Sequence, residues 1–86
     1  MEVKARILND DGLHARPAGI LAKKAGGFKS KIDFSFNGKT VNGKSLLSIM
    51  SLGLTKDAEL AIMAEGEDAE PALKALCTLI ESKFEV

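Results

Sequence analysis

Polar and apolar residues alternate at the start of the chain. Val3, Ala5 and Ile7 fall between Glu2, Lys4 and Arg6, the period-two pattern of a strand with one buried face. The cluster Asn9-Asp10-Asp11-Gly12 ends it as a turn. From Ala15 to about Ala25 the spacing changes to that of a helix, with Ala18, Leu21, Ala22 and Ala25 on one stripe. Pro17 fits its first turn, where a missing N–H costs nothing, and Gly26-Gly27 supplies the stop. Alternation returns at Ile32, Phe34 and Phe36. Asn37-Gly38 is a strong hairpin signal, which makes Lys39-Thr40-Val41 the returning strand.

Asn42-Gly43 turns again, and Ser45 predicts the N-cap of a short helix carrying Leu46, Leu47, Ile49 and Met50 as far as Leu52-Gly53. Leu60, Ile62 and Ala64 alternate as a fourth strand. Asp68 predicts the cap of a last helix whose stripe is Leu73, Leu76, Cys77, Ile80 and Phe84. The order β-α-β-β-α-β-α predicts an α+β fold, an antiparallel sheet with helices packed on one face. A ferredoxin-like split βαβ uses nearly the same order, so elements alone leave function open.

The chain has 86 residues, enough for one domain with one core, spanning 1–86. Twelve basic residues balance twelve acidic ones, so no global field draws it to nucleic acid or to a membrane surface. There is no Trp or Tyr to stack on bases, and no apolar run approaches a membrane span or a signal peptide. Membrane insertion is not expected, and the composition predicts a cytoplasmic domain. One cysteine cannot form an internal disulfide, and one His with one distant Cys gives no metal-ligand spacing, so neither metal nor cofactor is expected. Cys77 lies on an apolar stripe and reads as core.

The chain's single histidine stands in Gly12-Leu13-His14-Ala15-Arg16-Pro17-Ala18-Gly19, at a helix start. If the helix begins at Ala15, His14 is its N-cap, beside the unpaired amides of Ala15 and Arg16. Those amides and the helix dipole favour an anion by about 0.3–1 kcal/mol when exposed. Arg16 adds a permanent cation whose planar fork matches phosphate oxygens. Positive neighbours favour the uncharged, nucleophilic imidazole, and an uncharged imidazole beside an anion cradle is suited to accept a phosphoryl group. The same residues also fit a plain cap with a solvated arginine.

At this point GLHARPAG, taken with Lys44–Gly53 (KSLLSIMSLG), closely resembles HPr, the histidine-containing phosphocarrier family of the bacterial phosphoenolpyruvate-dependent sugar phosphotransferase system. The resemblance covers essentially the whole chain, including the Asn37–Lys39 hairpin. It implies an open-faced β-sandwich, a four-stranded antiparallel sheet covered on one side by three helices. It implies that His14 is phosphorylated on Nδ1 by phospho-enzyme I and passes the group to enzyme IIA domains, with Arg16 stabilising the phosphohistidine. The chain would then be a carrier rather than a stand-alone enzyme. Ser45 matches the family's regulatory serine, phosphorylated in the Gram-positive branch by HPr kinase/phosphorylase, and a catabolite-control transcription factor is a further implied partner. A phospho-regulatory paralogue in the family lacks the active histidine, which His14 argues against here. Gly19, Gly43 and Ser48 depart from the family's usual residues and bear on the docking face, not on the phosphate chemistry.

Docking is expected on the apolar surface next to His14. Ile20 lies off the buried stripe, and Leu46, Leu47, Ile49 and Met50 crowd a two-turn helix, so some must face outward. Ile49 reads as core; Leu46, Leu47 and Met50 fit core and interface equally. Lys23 and Lys24 fit a solvated face, and beside His14 they also suit acidic rims on partners. A carrier that presents one face to several partners is expected to be a monomer. Two other classes fit the sequence, a regulatory module working through Ser45 and an unrelated interaction domain in which His14 only caps.

Overall fold

A computed structural model of the chain describes residues 1–10 and 12–84. Its elements run β1 (Glu2–Arg6), α1 (Ala15–Gly26), β2 (Lys31–Phe36), β3 (Lys39–Asn42), α2 (Leu46–Met50), β4 (Glu59–Glu65) and α3 (Ala69–Glu81). The four strands form one antiparallel sheet in the order β1-β4-β2-β3. Register follows the period-two pattern. Val3 lies opposite Ile62, Ile62 opposite Phe34 and Phe34 opposite Val41, so one apolar row crosses all four strands on a single face. Ile62 and Phe34, on the central strands, are fully buried, while Val3 and Val41 on the edge strands are half-buried. The β2–β3 hairpin turns through Asn37 and Gly38 with φ of 53° and 83°, the left-handed pair that matches the twist of the strands it joins.

The helices cover that face. α1 packs on α2 and α3, α3 lies on β1 and β4, and α2 reaches β3. α1 buries Ala18, Leu21 and Ala25, as its spacing predicts, and Pro17 besides; Ala22 is only half-buried. α3 buries Leu73, Leu76 and Ile80, together with Ala69, Ala72 and Leu79, which widen the stripe. Cys77 sits at the stripe's edge, half-buried, where burial followed by the neighbouring Glu81 carboxylate pushes its thiol up. Phe84 is buried but lies beyond the end of α3, so it reaches the core from a turn and not from the helix.

Asp68 departs from its predicted role. It precedes α3 but makes no side-chain capping bond there. Its carboxylate instead accepts from the amides of Lys29 and Ser30, both at 2.8 Å, and from the Ser30 hydroxyl. The hydroxyl and these amides hold the Asp68 carboxyl below its ordinary range. A residue placed to cap one helix therefore fastens the loop between α1 and β2.

Candidate functional site

His14 stands where β1 hands over to α1. The connection is held from both sides: the Ile7 amide donates to Ala58 O at 2.9 Å and the Leu13 amide to Leu54 O at 3.0 Å. Gly12 is needed for this approach. Its φ is +66°, and a Cβ there would lie 2.5 Å from Leu54 O and 2.8 Å from Thr55 Cα. The next residues can then enter the helix with His14 as N-cap, extended at φ −86° and ψ −170°, its carbonyl accepting the Ala18 amide at 3.0 Å.

The His14 side chain makes no capping bond to α1. By helix geometry the amides of Ala15 and Arg16 have no carbonyl a turn earlier, and Pro17 has no N–H at all. The start of α1 thus presents two donors and the positive end of the dipole, with no acidic residue in its first turn to neutralise it. His14, Ala15 and Arg16 are all exposed.

His14 and Arg16 share a shallow cleft of about 140 Å³ with Asn9, Ile20, Lys83 and Phe84. The exposed chemistry expected of a carrier is therefore seated in a small depression and not on a flat surface. Sequence reasoning did not anticipate Asn9 or Lys83, which come from the turn after β1 and the turn after α3. The Asn9 amide donates to Gly12 O, while its Oδ1 is buried and has no hydrogen-bond partner among the described residues. On the adjoining loop Lys56 pairs with Asp10 at 2.9 Å; that hydrogen bond and its charge hold the Asp10 carboxyl down and push the Lys56 ammonium up.

The expected docking residues divide clearly. Ile49 is fully buried, whereas Leu47 is 78% exposed and Leu46 and Met50 are each 39% exposed. Among the described residues these three and Met1 are the exposed large apolar side chains, so α2 carries an apolar patch. Ile20 lines the His14 cleft on one side and a groove with Lys23, Lys24 and Leu79 on the other, and no α2 residue lines either. Lys23 is exposed but does not line the cleft itself. Gly19 sits at the α1–α2 seam, where a Cβ would come within 4.0 Å of Leu46 Cδ1, so this departure lies beside the patch. Gly43 does not; a Cβ there would meet Ile32 and Phe34 of β2.

Ser45 is the N-cap of α2, half-buried, its Oγ accepting the Ser48 amide at 3.3 Å. The preceding residue is tied down as well, since Lys44 Nζ donates to Phe28 O at 2.8 Å. α2 itself contains no ionisable residue. No group of three or more His, Cys, Asp or Glu among the described residues is arranged to hold a metal ion, and none of the described helices is long and apolar enough to cross a membrane.

The family model for the HPr component phosphorylation site of the phosphotransferase system matches residues 1–82. Among solved structures, HPr from Thermoanaerobacter tengcongensis is 46% identical, covering 100% of this chain and 99% of that one with a TM-score of 0.94. HPr from Bacillus anthracis is 38% identical over 93% of this chain and 95% of that one, with a TM-score of 0.89. Crh of Bacillus subtilis, a catabolite-repression protein described as a domain-swapped dimer, is 33% identical over 91% and 90%, with a TM-score of 0.78.

Proposed function

The chain belongs to the HPr family of phosphocarriers of the sugar phosphotransferase system, and from that membership we propose that His14 is its phosphoryl acceptor and Arg16 the cation that steadies the group. The observation that carries this reading is the shared cleft. The His14 imidazole and the Arg16 guanidinium line one cleft at the start of α1, where the first helix amides stand. The lone pair of Nδ1 forms the new N–P bond as the donor's bond to phosphorus breaks, the departing pair staying with the donor. The oxygens of the arriving group are met by the amides of Ala15 and Arg16 and by the Arg16 fork.

These contacts suit a carrier. An exposed helix start contributes about 0.3–1 kcal/mol, enough to orient a phosphoryl group and too little to trap it. The donor is phospho-enzyme I and the acceptors are enzyme IIA domains, reached through Ile20, Leu46, Leu47 and Met50, with Lys23 at the edge. The protein works as a monomeric cytoplasmic carrier, not as a stand-alone enzyme. Labelling with phosphoenolpyruvate and enzyme I tests this. An acid-labile, base-stable label that His14→Ala abolishes is the expected result, and label persisting in His14→Ala overturns it.

Ser45 adds regulation to the same surface. A phosphate there sits at the start of α2 and brings about −1.5 to −2 charges to a helix with no ionisable side chain. It repels an acidic partner site without any change of fold. The partners implied are HPr kinase/phosphorylase and a catabolite-control transcription factor. Kinase with ATP labelling Ser45 fast while His14 accepts phosphate only slowly would instead favour a regulatory module.

A further inference from the structure

The cleft beside His14 has a wall that the chemistry above does not use. After α3 the chain passes through Lys83 and Phe84, both left-handed, with φ of 61° and 64°. Two consecutive non-glycine residues hold such a backbone only where their surroundings fix it. Here the Lys83 amide donates to Ile80 O at 3.1 Å and the Phe84 amide to Leu79 O at 3.0 Å, while the Phe84 side chain is buried. The turn is anchored, and its one outward-facing product is Lys83, which lines the same cleft as His14 and Arg16.

Two further observations bear on what Lys83 does there. It lies near enough to the loop carrying Asp10 for its charge to add, after that of Lys56, to holding that carboxyl down. Asn9 also lines the cleft, and its buried Oδ1 has no hydrogen-bond partner among the described residues. An ammonium has three protons to give, so a lysine drawn inward can serve an anion and a neighbouring acceptor together.

We propose that Lys83 is a direct cationic contact for the phosphoryl group carried by His14, meeting it from the α3 side of the cleft while Arg16 meets it from the α1 side. The inference rests on His14 being the acceptor. The two cations are not equivalent. The guanidinium is a rigid fork that fixes orientation, whereas the ammonium is a compact charge on a flexible stem. Lys83 can therefore follow the phosphoryl group as it arrives and leaves.

A nearby cation favours the dianionic form of a phosphoryl group. Wild type, Lys83→Met, Lys83→Asn and Lys83→Arg are phosphorylated with phosphoenolpyruvate and enzyme I, and the phosphohistidine signal is titrated by phosphorus NMR. Both neutral variants are expected to raise the pKa of the phosphoryl group by about half a unit, and Lys83→Arg to restore it. Asparagine suits left-handed backbone, so agreement between the two neutral variants excludes a change in turn geometry as the cause. The difference should shrink toward zero at about 1 M salt. A wild-type titration curve in both neutral variants, on chains that take up label normally, overturns the inference and leaves the carrier reading intact. Failure of wild-type His14 to take label at all removes both.

Discussion

Leu47 and Ile49 are two residues apart on α2, yet one is 78% exposed and the other 0%. The contrast separates docking from folding. Ile49→Val deletes one methylene from a filled site, at a cost of about 0.5–1.5 kcal/mol. In a domain of this size each kcal/mol moves Tm by roughly 4–8 °C, so a fall of about 2–12 °C follows. Leu47→Ala removes a side chain that gains little on folding, so stability should stay within about 0.5 kcal/mol. Its effect belongs to the complex. Fully burying a leucine stabilises by about 1.5–3 kcal/mol, and most of Leu47 is still in water before docking, which leaves about 1–2 kcal/mol for a partner to collect. That corresponds to a roughly 5- to 30-fold rise in KM for the chain as substrate of enzyme I, with kcat little changed once the complex has formed. Thermal melts and steady-state phosphotransfer read both quantities. An unchanged KM in Leu47→Ala, or a loss of Tm as large as that of Ile49→Val, refutes the assignment of α2's outer face to docking.

Other perturbations address the remaining parts. Ser45→Asp should slow phosphoryl transfer to His14 about tenfold at low salt, with the gap narrowing at about 0.5 M and Tm unmoved; equal rates would reject the electrostatic account. Gly12→Ala forces a left-handed alanine whose Cβ meets the Leu54 carbonyl, at a cost of about 2–4 kcal/mol, and an unchanged melting curve would show that the β1–α1 connection yields more easily than its bonding suggests. Asp68 gives a pH signature. Its folded carboxyl lies below its ordinary 3.8, so the unfolded chain takes up the proton first, and the stability contributed is complete above about pH 4 and lost as pH falls through the folded value. Urea midpoints should therefore fall on acidification more steeply in wild type than in Asp68→Asn; parallel profiles would refute the latch.

The parts legible in the sequence are those set by neighbours along the chain. Ser45 caps α2 as its position predicts, His14 takes the N-cap position of α1 without a side-chain capping bond, and the Asn37-Gly38 turn is specified by two adjacent residues. What could not be read depends on segments meeting in space. Asp68 looks like a helix cap because its real partners, Lys29 and Ser30, are 39 and 38 residues away. The spacing of Leu46, Leu47, Ile49 and Met50 fits either face of so short a helix, and only the docking of α2 on α1 and β3 decides which side is inside. Lys83 carried no signal at all. A lysine after an amphipathic helix reads as a solvated end until the left-handed turn brings it back to the cleft.

The cleft draws one side from residues 9–20 and the other from residues 83 and 84, the turn that α3 must be seated to deliver. The cleft is not complete without both halves. An intermediate in which β1 and α1 have formed but α3 is still detached would offer the imidazole and guanidinium with nothing facing them. The proposed seat for the phosphoryl group is therefore complete only in a chain whose α3 is packed in place.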